Sequence, residues 1–199
     1  KVNDIYMKIV RILGFINFPI YSTLACCSVS VMGILYGDSY MQYSYILFFL
    51  CLYYAFQSIG NPVGSLLIGM GRTDCGFYWT VFRVCFTGVY FYFLSQLNLH
   101  YFVFFVFLLS VIMQYPAWLI MLRRVINIKF STTFGLIVIP FLICLPLLPL
   151  YWLDQYIGIP WLSLPIVSIL AVFGYLLISY VFRKQFTLYF FQTVFKNKI

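Results

Sequence analysis

Six long runs of predominantly apolar residues, separated by short polar breaks, dominate this 199-residue sequence. A helix needs about 20 apolar residues to cross the roughly 30 Å hydrocarbon layer of a bilayer, and each run is long enough to do so. The runs cover approximately residues 10–36, 43–70, 77–97, 101–122, 133–153 and 160–182. Charged residues make up only 8% of the chain, against about 25% in soluble domains, so a water-soluble fold is excluded.

The length and pattern of these runs predict helices rather than strands. A strand of a membrane barrel needs about 9–11 residues that alternate between polar and apolar, and the runs show no such alternation. A helix also satisfies its backbone polar groups within one segment, as the lipid environment requires. The sequence therefore predicts an all-α fold, a polytopic integral membrane helical bundle with six transmembrane helices.

The basic residues indicate how the six spans are oriented. Every Lys and Arg falls at one membrane side of a six-span topology, at positions 1, 8, 11, 72, 83, 123, 124, 129, 183, 184, 196 and 198. The opposite connections contain Asp38, His100 and Asp154 but no Lys or Arg. Because basic loops stay in the cytoplasm, we expect both termini there. The net charge of +8 then requires no nucleic-acid partner.

The remaining organisation is simple. Residues 1–182 are expected to form the transmembrane region, and residues 183–199 a basic, aromatic tail that is too short to span and lies in the cytoplasmic interface. The six cysteines lie mostly in apolar runs and show no CxxC spacing, so we expect neither a disulfide nor a metal site. No catalytic or phosphate-binding motif is found, which predicts a protein without enzymatic activity or cofactor. Acidic residues and His are expected outside the spans, which argues against a relay of buried carboxylates.

The second span carries the most informative polar string, from Gln57 to Ser65. Pro62 weakens the helix near Ser58, because proline lacks an N–H and clashes with the carbonyl four residues earlier. Gly60 and Gly64 form a small-residue face on which a neighbouring helix can pack closely. Two interpretations remain open. The string is either a kinked, tightly packed helix, or a hinge that lines a cavity with Gln57 and Asn61.

Two arginines near the third span are the candidate cations. Arg83 lies about two turns inside that span, where it either extends to the inner headgroups or faces an anion-accepting cavity. Arg72 and Asp74 occupy the tight turn before the span, and a local ion pair that fixes this turn is the simpler interpretation.

Three strings together resemble a known family: Gly60–Leu67, Gly69–Asp74 and Phe77–Trp79. They are similar to Wzx-like polysaccharide and O-antigen flippases of the multidrug/oligosaccharidyl-lipid/polysaccharide (MOP) exporter superfamily, of the colanic-acid-exporter type. This resemblance implies two six-helix lobes around a central cavity. The chain would form the C-terminal part of such a protein and would have the missing N-terminal lobe as its partner, which also accounts for a start at Lys1 rather than Met.

The resemblance implies a function as well. The family flips undecaprenyl-diphosphate-linked oligosaccharides across the bacterial inner membrane by alternating access, for lipopolysaccharide and other surface polysaccharides. The partners would be this lipid-linked substrate and membrane lipids. The candidate substrate-binding residues are Gln57, Asn61, Arg72 and Arg83, with Gly60, Pro62 and Gly64 as hinge or packing residues.

Three alternatives remain open. A polysaccharide polymerase or ligase acting on the outer face is disfavoured, because the outer turns are short and nearly uncharged. A drug or ion antiporter of the same superfamily would favour buried carboxylates, which the sequence does not predict. A structural membrane subunit is also compatible with the sequence, and only the motif resemblance argues against it.

Overall fold

The structure, a computed structural model, describes residues 2–126 and 140–196, and within these ranges the chain is helical without strands. The helices are α1 (Val2–Cys26), α2 (Ser28–Tyr36), α3 (Ser44–Gly69), α4 (Thr73–Leu94), α5 (Leu99–Ile126), α6 (Leu150–Ile157) and α7 (Pro160–Lys196). Residues 140–144 are also helical. Short 3₁₀ helices cover Asp38–Tyr43 and Leu145–Leu147.

Six segments of the described chain are long and apolar enough to cross a membrane. They are Ile5–Cys26, Asp38–Gly69, Thr73–Leu94, Leu99–Trp118, Pro140–Ile157 and Pro160–Val181. The predicted all-α membrane fold with six candidate spans is therefore confirmed. The cytoplasmic location of both termini stays a prediction.

Some boundaries differ from those read from hydropathy. The first long helix ends at Cys26, and the apolar run continues after a break at Cys27 as the separate helix α2. Only 140–153 of the fifth predicted span falls in the described residues, because 133–139 lie outside them. Helix α7 continues past residue 182 to Lys196 without a break, so the backbone of the predicted tail extends the sixth span.

Asp154 is the clearest correction to the sequence-based topology. The sequence places it in an exposed outer turn, but the structure places it in α6 with only 1% of its surface accessible. The buried carboxylate accepts hydrogen bonds from the backbone N–H and the hydroxyl of Ser30 on α2, and the hydroxyl of Ser30 in turn contacts that of Ser163 on α7. The expectation that the described chain has no buried carboxylate is therefore wrong.

The core lies where α1 packs between α3 and α7. Val10 and Phe18 of α1 meet Ile59 of α3, and Val167 and Tyr175 contribute from α7. All five side chains are almost fully enclosed. Close packing of this kind favours small residues, because in lipid helix association depends on contact rather than on escape from water. At Gly33 of α2, for example, an added Cβ would lie 2.8 Å from Cγ of Pro160.

Helix α4 is arranged differently. None of its residues is buried, although it is long enough to cross a bilayer. It contacts α3 and α5 more sparsely than α1 contacts α3. The space left between α3, α4 and α5 is the first of the two cavities considered below.

Candidate functional site

A cavity of about 430 Å³ lies between α3, α4 and α5, and we call it the aromatic cavity. Its walls are mainly aromatic and aliphatic side chains. Helix α4 contributes Phe82, Phe86 and Tyr90, whereas α3 contributes Phe49 and α5 contributes Phe107. Phe82, Phe86 and Tyr90 form a continuous series of ring contacts along α4, with centroids 6.0 Å and 5.5 Å apart. The cavity is therefore suited to an apolar ligand or ligand part.

Arg83 brings a positive charge to this apolar lining. Its Nη2 donates a hydrogen bond of 3.4 Å to the hydroxyl of Tyr53 across the cavity. No carboxylate pairs with Arg83 among the side chains that the structure describes. A guanidinium has five N–H donors in a planar fork that matches carboxylate and phosphate oxygens. With one neutral protein partner, Arg83 retains donors for an anion.

Polar contacts within the aromatic cavity are few. The hydroxyl of Tyr90 on α4 lies 3.2 Å from the hydroxyl of Ser110 on α5. This pair and the Arg83–Tyr53 bond link α4 to its two neighbours within the cavity lining. Arg83 thus provides the charge in this lining, and two polar contacts connect α4 to α3 and to α5.

A second cavity of about 580 Å³ runs between α1 and α3, and we call it the polar groove. Most of its lining is apolar, and its polar side chains are Asn17 of α1 and Ser58, Asn61 and Ser65 of α3. The hydroxyl of Tyr6 is buried in this region and has no hydrogen-bond partner among the described residues. Amides and hydroxyls both donate and accept, which suits the hydroxyl groups of a ligand.

Helix α3 passes through the proline motif without a break. It is helical from Ser44 to Gly69 with Pro62 inside, so the motif does not interrupt the helix as a loop would. An added Cβ at Gly64 would meet nothing within 4 Å, so no described helix packs against this glycine. The small-residue face predicted from Gly60 and Gly64 together stays a prediction. Pro62 instead lines the polar groove beside Asn61.

The turn before α4 is held by backbone rather than by charge. Gly71 adopts a φ of 68°, which glycine tolerates without a Cβ penalty. The backbone N–H of Arg72 donates to the carbonyl of Leu67 at 2.9 Å. Arg72 and Asp74 are both exposed, and no ion pair joins them in the described chain, so the expected ion pair is not formed.

The four predicted substrate-binding residues do not share one cavity. Arg83 lines the aromatic cavity and Asn61 lines the polar groove, whereas Arg72 lies on the turn and lines neither. Gln57 is half-buried and engaged within the chain, and it lines neither space. Tyr6, Asn17 and Tyr53 were missed by sequence reasoning. Their signal is weak, because a lone tyrosine or asparagine in an apolar run is common.

Two curated proteins are similar to this chain. The lipopolysaccharide biosynthesis protein WzxC of Escherichia coli (strain K12) is 31% identical over 83 residues, which is 42% of this chain and 17% of WzxC. The resemblance to Wzx-type proteins is confirmed. The teichuronic acid biosynthesis protein TuaB of Bacillus subtilis (strain 168) is 24% identical over 142 residues, or 71% of this chain and 29% of TuaB.

The Wzx-like chain therefore spans less than a third of the length of either relative. No family model matches it, and no solved structure does. The six candidate spans describe a multi-pass membrane protein, and part of the chain is similar to WzxC and TuaB.

Proposed function

We propose that this chain takes part in moving a lipid-linked polysaccharide precursor across the bacterial inner membrane. Its two curated relatives are named as proteins of lipopolysaccharide and teichuronic acid biosynthesis, so polysaccharide assembly is the process they share. The names of these two relatives support the broader part of the proposal, a role in polysaccharide export. Flipping of an undecaprenyl-diphosphate-linked oligosaccharide is the finer proposal, and it rests on the chemistry of the two cavities.

Arg83 is the observation that carries this proposal. A polyprenyl-diphosphate substrate combines an anion with a long apolar chain, and the aromatic cavity combines one guanidinium with apolar walls. The guanidinium fork would bind diphosphate oxygens, and the aromatic walls would contact the prenyl chain. A charge within a membrane span is costly, which marks such residues as functional candidates.

The polar groove fits the other part of the substrate. Sugars present many hydroxyls, and Asn17 and Asn61 offer amide groups with which these hydroxyls can form hydrogen bonds. The groove and the aromatic cavity both involve α3 but different neighbours of it. We propose that α3 separates a glycan-contacting surface from a lipid-contacting surface, and that the role is transport without covalent chemistry.

Export of polysaccharide in cells tests this function. The gene that encodes the chain is expressed in a host that lacks its own flippase, and surface polysaccharide is measured by blotting. We expect Arg83→Ala to reduce export at least tenfold and Arg83→Lys to restore part of it, since a charge returns without the fork. Arg123→Ala is the matched control, because Arg123 is exposed on α5 and does not line the aromatic cavity. Normal export by Arg83→Ala together with loss in Arg123→Ala would overturn the assignment.

A further inference from the structure

Asp154 lines neither the aromatic cavity nor the polar groove. Its carboxylate is enclosed where α6 meets α2 and the first turn of α7. The backbone N–H of Ser30 donates to its Oδ2 at 3.0 Å, and the hydroxyl of Ser30 is in hydrogen-bond contact with its Oδ1. The same hydroxyl contacts that of Ser163, which also reaches the carbonyl of Pro160 at 3.5 Å. Four oxygen-bearing groups thus form one chain.

Within residues 2–126 and 140–196, no positive charge balances this carboxylate. Among the side chains that the structure describes, no Lys, Arg or His bonds to Asp154. The elements packed against α6 are α1, α2 and α7. The titratable groups that interact with Asp154 from these elements are the thiols of Cys26 and Cys27, and α2 and α7 face it with the hydroxyls of Ser30 and Ser163. A buried carboxyl in a membrane-spanning segment, without a cationic partner, is a functional candidate.

We propose that Asp154, Ser30 and Ser163 form a proton-binding site. The reason is that the hydroxyl chain can be fully hydrogen-bonded in both protonation states. When Asp154 is charged, the hydroxyl of Ser163 donates to Ser30, and the hydroxyl of Ser30 donates to Oδ1. When a proton from water forms an O–H bond at Oδ1, that O–H donates to Ser30, Ser30 donates to Ser163, and Ser163 donates to the carbonyl of Pro160. Release returns the proton to water, and no buried hydroxyl loses its partner in either direction.

The geometry favours a proton over a metal ion. The three side chains bring one carboxylate and two hydroxyls together, and within the described residues no cluster of three or more His, Cys or Asp residues that could hold a metal ion is found. Protonation also changes the strength of the contact, because charge-assisted hydrogen bonds are roughly twice as strong as neutral ones. Proton binding would therefore loosen the contact of α2 with α6 and α7. This proposal does not rest on the proposed transport activity.

Infrared difference spectroscopy of the purified chain in detergent, as a function of pH, tests the site. The chain contains four Asp and no Glu, so few carboxyl bands can overlap. As the pH is lowered, each carboxyl that becomes protonated contributes a carbonyl band, and we expect Asp154→Asn to remove one of these bands, which is then the band of Asp154. Asp38→Asn is the matched control, because Asp38 is exposed, and it should leave this band unchanged.

A second variant keeps the test decisive if Asp154→Asn does not fold. Ser30→Ala should shift the frequency of the band, because the carboxyl loses its hydroxyl partner, whereas Ser44→Ala should not. Ser44 is also buried, but it pairs with the hydroxyl of Tyr151 instead. The proposal is overturned if no such band appears at any pH, if the band survives in Asp154→Asn, or if Ser30→Ala leaves its frequency unchanged. Loss of the band when sodium replaces choline at constant pH would show a sodium site instead, and would also overturn it.

Discussion

The packed half of the molecule, built from α1, α2, α3, α6 and α7, differs sharply from the open half formed by α4 and the part of α5 that lines the aromatic cavity. In the packed half, side chains such as Val10 and Val167 are fully enclosed, and even a carboxylate is buried. In the open half, α4 buries none of its residues and borders the aromatic cavity. The difference shows that membrane-spanning length alone does not decide packing, and that the two halves offer different chemistry.

Residue size accounts for much of this difference. Around the break between α1 and α2 the chain reads Ala25, Cys26, Cys27, Ser28, and these small side chains allow α6 and α7 to approach. Helix α4 has aromatic residues on all sides, and such rings hold neighbouring helices apart. The packed half therefore fixes the structure, and the open half leaves space for a ligand.

Removal of one aromatic ring from each half gives the largest expected contrast. Phe18 of α1 is 2% exposed, and Phe93 of α4 is 66% exposed. We expect Phe18→Ala to lower the free energy of unfolding by about 2–3 kcal/mol, mostly because it leaves a cavity. Transfer of the ring from the core contributes little, because in a membrane an exposed ring contacts lipid rather than water. Phe93→Ala should change it by less than about 0.5 kcal/mol. Unfolding in mixed detergent micelles measures both, and equal losses would contradict the division into two halves.

Two glycines provide a smaller contrast of opposite sign. Gly88→Ala on α4 meets nothing within 4 Å and should stabilise the helix by about 0.5–1 kcal/mol, since alanine is the better helix former. Gly33→Ala on α2 places a Cβ against Pro160 and Met41, so we expect a net loss of about 1 kcal/mol. The same unfolding assay applies. Stabilisation by both variants would show that α2 is not packed as closely as the structure has it.

The spans were predictable because apolar length is a local property. Each run exceeds the bilayer requirement on its own, and no contact between helices is needed to recognise it. Arg83 was recognisable for a similar reason, since a charge in an apolar run stands out. Its neighbourhood was not, because the hydroxyl of Tyr53 lies on another helix 30 residues away.

Two features of the structure could not be predicted from the sequence, because they depend on how the helices pack. Tyr53 and Ser58 of α3 are five residues apart, and at about 100° per residue their side chains point about 140° apart. The aromatic cavity, lined by Tyr53, and the polar groove, lined by Ser58, therefore lie on different faces of α3. Asp154 resembles a turn residue in sequence, since Gln155 and Gly158 follow it. Its burial depends on Ser30, 124 residues earlier, which no local pattern can show.

Binding of undecaprenyl diphosphate to the purified chain tests the role of the aromatic cavity most directly. Trp79 lines that cavity, so its fluorescence reports occupancy, and Trp79→Phe identifies its share of the signal. We expect Arg83→Ala to weaken binding at least tenfold, because the diphosphate loses its guanidinium partner, and Arg123→Ala to bind as the unchanged chain does. Equal affinity of the Arg83→Ala and Arg123→Ala variants would contradict the account.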